Sequence, residues 1–295
     1  MIAVDWGTSS FRAYRLDRDG AVLEQRSAAA GLLACQGNFE AVLAEQLSGW
    51  DDPNIVMAGM IGSRNGWHEV PYVDCPAGAE QLGAGMREVK AAAFAGRRIF
   101  IAPGVCHRPA GGTPEVMRGE EVQLLGLVDR LAGNGPHTLC LPGTHSKWAV
   151  LEQGRVSSFR TAMTGELYAL LTQHSLLAAS MDKAAGDDPS AFAHGLASAR
   201  RPGGLTSHLF SVRTLGLFGE LTPAQAPSYL SGLLIGHELE GLAPQAGRVH
   251  LIGSAALTLR YERALRARGI ETIVHSDALS ARGLHHLARQ HPLID

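Results

Sequence analysis

A chain of 295 residues holds one large domain or two of ordinary size, and 45% apolar with 18% charged residues describes a packed globule rather than a disordered chain. Its 28 acidic and 26 basic residues leave a formal net charge of -2, so there is no basic field for nucleic acid, and no apolar stretch reaches membrane-spanning length. The opening has neither the basic nor the apolar region of a signal peptide. The scattered Cys35, Cys75, Cys106 and Cys140 form no CxxC pair, so free thiols in a reducing cytoplasm are expected.

In chain order, Met1 to Asp5 reads as a buried strand that breaks at Trp6-Gly7-Thr8-Ser9-Ser10. A second strand spans Phe11 to Leu16, Asp17-Arg18-Asp19-Gly20 makes a hairpin turn, and Ala21 to Gln25 is a third strand. A helix fits Asn38 to Leu47 with Asn38 as N-cap. A strand follows over Asn54 to Met60, then a helix over Gly78 to Ala95 and a strand over Arg98 to Ala102. The turn-rich stretch His107 to Pro114 marks the expected domain boundary, dividing residues 1–113 from 114–295, with the last helix free to pack back on the first domain. Met117-Arg118-Gly119-Glu120-Glu121 opens a helix running to about Leu131, and the strand His137 to Leu141 breaks at Pro142-Gly143-Thr144-His145-Ser146. Strands over Lys147 to Leu151 and Val156 to Phe159 flank a turn at Gln153-Gly154. Helices dominate Thr164 to Ala243, one of them with Thr222 as N-cap and Pro223 at its first position. The chain closes with a strand over Val249 to Ile252, a helix from Ala255, a strand over Glu271 to His275 and a helix from about Asp277, on which His285, His286 and His291 are expected to form a solvated face.

Two of these segments are alike. Gly7-Thr8-Ser9-Ser10 and Gly143-Thr144-His145-Ser146 each follow a buried strand and lead into a second strand with a cation near its start, Arg12 or Lys147. Each then turns tightly into a third strand. Such a repeat implies two related α/β halves facing each other. A turn of glycine and hydroxyl residues exposes backbone N–H groups with little bulk, a concavity suited to phosphate oxygens, and two of them can grip one nucleotide's β- and γ-phosphates. Asp5, just before the first loop, can reach a hydrated Mg²⁺ on those phosphates. A third loop, Gly253-Ser254, sits between a buried strand and a helix, beside the adenosine in this layout.

Three loops in this order resemble the phosphate-1, phosphate-2 and adenosine motifs of the actin-like ATPase and sugar-kinase superfamily. More narrowly, AVDWGTSSFRAYRLD (3–17), GMIGSRNGW (59–67), PYVDCPA (71–77), EVMRGEEVQLLG (115–126), LPGTHSKW (141–148), TAMTGELYALL (161–171) and YLSGLLIGHE (229–238) resemble the 2-dehydro-3-deoxygalactonokinase family. The resemblance implies an α/β fold of two ribonuclease H-like domains flanking a nucleotide cleft. It also implies ATP-dependent phosphorylation of the 6-hydroxyl of 2-dehydro-3-deoxy-D-galactonate, with ATP and Mg²⁺ as cofactors. The implied phosphate and adenosine contacts are Gly7, Thr8, Ser9, Gly143, Thr144, His145, Gly253 and Ser254.

In related sugar kinases the general base opens a helix shortly before the second loop, where this chain carries Glu120 and Glu121 in place of aspartate. Glu120 is the favoured base and Glu121 the alternative, with Arg118 beside them. A 2-keto acid brings a carboxylate, so Arg12, Arg64, Arg118 and Lys147 are candidate clamps, with Ser10 and Ser63 as further acceptor contacts. If the C2 keto group closed on O6 the nucleophile would be consumed, so the reacting species is the furanose or open-chain form. The expected partners are a sugar acid and ATP, with no nucleic acid and no membrane; a homodimer stays open. The alternatives are a kinase for another keto-deoxy acid or a pentulose, and a non-catalytic sugar sensor on the same fold.

Overall fold

In this computed structural model, which describes residues 1–244, 247–275 and 279–291, the elements follow one another as strands and helices that build two sheets of the same internal order. They are β1 (Ile2–Trp6), β2 (Phe11–Leu16), β3 (Val22–Ala28), α1 (Leu32–Cys35), α2 (Phe39–Gln46), β4 (Asn54–Gly59), β5 (Val73–Asp74), α3 (Ala79–Gly85), β6 (Arg87–Val89), β7 (Arg98–Ile101), β8 (Val105–His107), β9 (Glu115–Met117) and α4 (Glu120–Leu125). Then come β10 (His137–Leu141), β11 (Ser146–Glu152), β12 (Arg155–Ala162), α5 (Thr164–Gln173), α6 (Pro189–Ala199), α7 (Gly204–Leu217), α8 (Ala226–Leu242), β13 (Arg248–Ile252), α9 (Ala255–Arg266), β14 (Glu271–His275) and α10 (Leu279–Gln290). The expected start of the last helix, Asp277, lies outside the described residues.

One of these sheets has the order β3-β2-β1-β4-β7-β6 and the other β12-β11-β10-β13-β14, and β5, β8 and β9 form a small third sheet. Each places a three-strand hairpin run first and at least two further strands on the far side of its opening strand, the 3-2-1-4-5 order of a ribonuclease H-like sheet, to which the first sheet adds β6 at its edge. β1 runs antiparallel to β2 and parallel to β4, and β10 runs parallel to β13. The repeat seen in the loops is therefore a repeat of whole sheets.

By internal contacts the chain forms two units. The first comprises Met1–His137, Ala149–Phe159 and the described part of Ser276–Asp295, and the second Thr138–Trp148 and Arg160–His275. Residues 114–137 thus group with the first unit, not the second as expected. The turn-rich stretch is the connection between antiparallel strands β8 and β9, whose pairing ties its two sides together. The last helix, α10, lies on α4, α3 and β1 within the first unit.

Period-2 alternation decides what β1 offers to each side. Ile2, Val4 and Trp6 enter a core with Phe11, Leu43, Ile55, Met57 and Ile99, so Asp5 is left on the opposite side, where α10 packs. α10 and α4 cross so closely that a Cβ on Gly283 would overlap the Val122 carbonyl oxygen, and this approach sets the depth of α10. In the second unit Cys140, Val249 and Leu251 meet Trp148, Phe192, Ile235, Tyr261 and Leu265, and α8 is buried on nearly all sides.

Four local expectations are corrected. The helix expected over 78–95 ends at Gly85: Gly83 and Gly85 weaken it, and Arg87–Val89 pairs antiparallel with β7 instead. The helix expected to reach Leu131 stops at Leu125, with a 3-10 turn at Val128–Arg130; at its C-cap a Cβ on Gly126 would overlap the Leu279 carbonyl of the crossing helix, so the position takes glycine. Thr222 and Pro223 form a separate turn closed by Gln225, and α8 starts at Ala226 with Pro227 in its first turn. The C-terminal histidines are not a solvated face. His285 is 4% exposed and bonds the Arg18 carbonyl, His286 reaches Asp129, and His291 lies against Phe100. Asn38 does occupy the N-cap of α2, but without a side-chain cap bond.

Candidate active site

The first unit gathers its candidates where β1 and β4 end. Trp6 pairs with Gly59, and a Cβ on Gly59 would fall 2.7 Å from the Trp6 carbonyl oxygen. Gly119 approaches from the other side, its own Cβ position 3.3 Å from the Gly59 Cα. Both glycines have left-handed backbone, with φ 96° and 110°, a conformation costly for any other residue. The first loop, the end of β4 and the Arg118–Glu121 turn therefore run side by side, at the strand ends where α/β sheets hold ligands.

Gly7 N–H donates to the Ser10 carbonyl at 2.9 Å, and the Gly7 and Thr8 carbonyls accept from Leu32 and Leu33, so α1 braces the loop from behind and Thr8 and Ser9 stay exposed. Asp5 stands in register with Arg12 across the hairpin, their charged groups 4.0 Å apart, and accepts a 2.9 Å hydrogen bond from the Ser280 hydroxyl on α10. Burial pushes its carboxyl pKa up, against the pull of Arg12 and Ser280.

The two glutamates at the start of α4 are not equivalent. Glu120 is half-buried and accepts from the Arg118 backbone N–H at 3.1 Å. Glu121 is fully buried; one of its oxygens accepts from Gly119 N–H at 2.7 Å and the other has no hydrogen-bond partner among the described residues. Burial, with a smaller push from Glu120, raises its pKa to about 8. The candidate cations also separate. Arg118 is buried, donating to the Val70 carbonyl at 2.7 Å under the Tyr72 ring, whereas Arg64 is 86% exposed near Glu69. Ser63 has a buried hydroxyl with no partner among the described residues.

The second unit brings its two loops together. β10 and β13 are parallel neighbours, and the Cβ position of Gly253 lies 3.3 Å from the Pro142 carbonyl oxygen. Ser254 caps α9 by position but makes no side-chain cap bond, which leaves its hydroxyl exposed. Gly143 has open space around it, and Thr144 and His145 are exposed. The start of α5 clamps this loop: Glu166 N–H donates to the Thr144 carbonyl at 3.0 Å, and the Glu166 carboxylate meets His145 Nε2 at 2.5 Å. Lys147 is 4% exposed on β11, so it is an interior cation rather than a surface one.

Several residues of these half-sites escaped the sequence reading. Ser280 orients Asp5, Glu166 holds His145, and buried Glu238 accepts from Trp148, Thr164 and Tyr261. Glu166 and Glu238 lie inside quoted motifs, TGELY and IGHE, but nothing local separates them from ordinary helix carboxylates. Among the described residues no group of three or more His, Cys, Asp or Glu is arranged for a metal ion. The lone Asp5 carboxylate fits a Mg²⁺ whose other ligands are phosphate oxygens and water. No described helix is long and apolar enough to cross a membrane.

The 2-keto-3-deoxy-galactonokinase family model matches residues 5–287 of this chain. A probable 2-dehydro-3-deoxygalactonokinase, DgoK1 of Rhizobium meliloti (strain 1021), is 39% identical over 300 residues, covering 97% of this chain and 96% of the relative. The 2-dehydro-3-deoxygalactonokinase of Escherichia coli (strain K12) is 36% identical over 294 residues, covering 97% of each. A crystal structure of a Sinorhizobium meliloti protein assigned to the same activity aligns with a TM-score of 0.88 at 36% identity and covers 98% of both chains.

Proposed function

The chain belongs to the 2-keto-3-deoxy-galactonokinase family, and from that premise we propose that it transfers the γ-phosphoryl group of ATP to the 6-hydroxyl of 2-dehydro-3-deoxy-D-galactonate, in the cytoplasm. The observation that carries the mechanism is the pairing of a reachable carboxylate with a buried one beside the first loop: Glu120 half-buried, Glu121 sealed. Glu120 is the general base. It takes the proton from O6 as that oxygen bonds to the γ-phosphorus and the bond to the β–γ bridging oxygen breaks, leaving ADP.

The first loop (Gly7, Thr8, Ser9) and the second (Gly143, Thr144, His145) hold the phosphates through backbone N–H groups and side chains, and Gly253 and Ser254 meet the adenosine. Asp5 would hold Mg²⁺, which neutralises phosphate charge when bound with ATP. Arg12 is engaged with Asp5, and Arg118 and Lys147 are buried. Arg64, the most exposed of these cations and next to Ser63, is the one assigned to the acceptor carboxylate, its ion pair with Glu69 giving way, with Ser10 as a further acceptor contact. The acceptor reacts as furanose or open chain, with O6 free.

The test measures ADP release with and without the keto acid and with Glu120→Gln. Acceptor-dependent turnover, a product heavier by one phosphate and a fall of at least about 100-fold in the variant are expected. ATP hydrolysis indifferent to every sugar acid tried would end the kinase reading; turnover with a different keto-deoxy acid or a pentulose alone would end the galactonate assignment.

A further inference from the structure

We infer that Glu238 is a positioning residue for the nucleotide, its buried carboxylate fixing the second loop, the first turn of α5 and the helix behind the third loop in one arrangement before ATP arrives. The inference rests on the kinase reading above. β11 leaves the second loop at Ser146, and Ser146 and Trp148, two residues apart, point to the same side of the strand. Trp148 Nε1 donates to one Glu238 oxygen at 2.7 Å, while the other accepts from the Tyr261 hydroxyl at 2.7 Å and from the Thr164 hydroxyl. Tyr261 is in turn 2.8 Å from the Ser146 hydroxyl, so Ser146 and Trp148 are both linked to this one carboxylate.

Each donor belongs to an element that carries part of the nucleotide half-site. Trp148 and Ser146 follow directly from Gly143–His145. Thr164 opens α5, whose Glu166 holds the Thr144 carbonyl and His145. Tyr261 sits on α9, which begins at the third loop.

The chemistry asks for a carboxylate. Three N–H and O–H donors converge, and only an ionised Asp or Glu accepts them all without a hydrogen of its own in the way; the indole N–H cannot reverse its role. A leucine would pack on this largely buried helix but would leave the Trp148 indole N–H without its acceptor, take one partner each from Thr164 and Tyr261, and fix no direction. A carboxylate that directs three elements gives the loop its aim in advance, and binding energy is then not used to order it.

Glu238→Gln tests this, because its amide nitrogen must face a donor. The KM for ATP is expected to rise about ten-fold, the loss of roughly one hydrogen bond's worth of preorganisation, with the acceptor KM within about two-fold of normal. Calorimetric affinity for the non-hydrolysable analogue AMPPNP with Mg²⁺ should fall in step. Thr164→Val, which removes one donor and keeps the carboxylate, should give a smaller shift of about three-fold in the same direction, and it decides the matter if Glu238→Gln does not fold. An unchanged ATP KM in a folded variant, or equal rises for ATP and acceptor, would overturn the inference. Wild-type protein that binds no AMPPNP would overturn the kinase reading instead.

Discussion

Replacing Glu121 by glutamine should change how stability depends on pH while leaving catalysis nearly intact. The Glu121 carboxyl is fully buried and its pKa is raised to about 8 from the usual 4.5, chiefly by burial. A carboxyl raised in the folded state contributes stability that is whole below the unfolded pKa and drains away as pH climbs through the folded one. Here the window runs from about pH 4.5 to about pH 8. At about 1.4 kcal/mol per pH unit the whole window is worth on the order of 5 kcal/mol, and the part between pH 6 and pH 8 about 2 kcal/mol. Glutamine matches the neutral acid in shape, accepts the Gly119 N–H with its carbonyl, and does not titrate. Urea unfolding of both proteins at pH 6, 7 and 8 should therefore show the variant gaining on the wild type by about 2 kcal/mol across that range. Turnover at pH 7 should stay within about three-fold, since the wild-type carboxyl is mostly protonated there and is not the base. Parallel stability curves would refute the burial argument, and a variant as inactive as Glu120→Gln would move the base to Glu121.

Four further outcomes are expected. Asp5→Asn should raise the Mg²⁺ concentration for half-maximal rate and lower turnover at least about 100-fold, since in the proposed mechanism Asp5 is the carboxylate that holds the metal; unchanged Mg²⁺ dependence in steady-state assays would remove Asp5 from that role. Gly283→Ala should cost about 3 kcal/mol or prevent folding, because its Cβ would overlap the Val122 carbonyl where α10 crosses α4; a melting temperature within a degree or two of normal would show that the helices can part freely. Glu166→Ala should raise the KM for ATP by releasing His145 and part of the loop clamp, and an ATP KM equal to wild type would dismiss the clamp. All four thiols should resist iodoacetamide at pH 8 in the native protein, Cys75 because burial pushes its thiol up to about 12 and the other three because burial raises theirs too; fast alkylation followed by mass spectrometry would contradict that.

The loops were legible because their chemistry is local. A buried strand that ends in Gly-Thr-x-Ser announces itself twice, and the matched hairpins behind those loops are the first three strands of each five-strand repeat. That Asp5 lies on β1, that Gly7–Ser9 and Gly143–His145 form the turns after β1 and β10, and that Glu120 and Glu121 open a helix could therefore be read in advance. Which glutamate is reachable was not legible. Adjacent residues at a helix start look alike until tertiary packing buries one of them and leaves the other half-exposed. The helix expected over 78–95 failed for a similar reason, since the pull that makes Arg87–Val89 a strand comes from β7 rather than from its own neighbours.

Amino-acid order alone settled the doubled α/β plan, the glycine-hydroxyl turns and the alternation that turns Ile2, Val4 and Trp6 inward, because each depends on residues a few positions apart. Tertiary structure decided which polar groups serve those turns: Ser280 reaches Asp5 across 275 positions, and Glu238 gathers donors from 23 to 90 positions away. Hydrogen bonding and burial are set by what lies near in space, and no short stretch of chain carries that information.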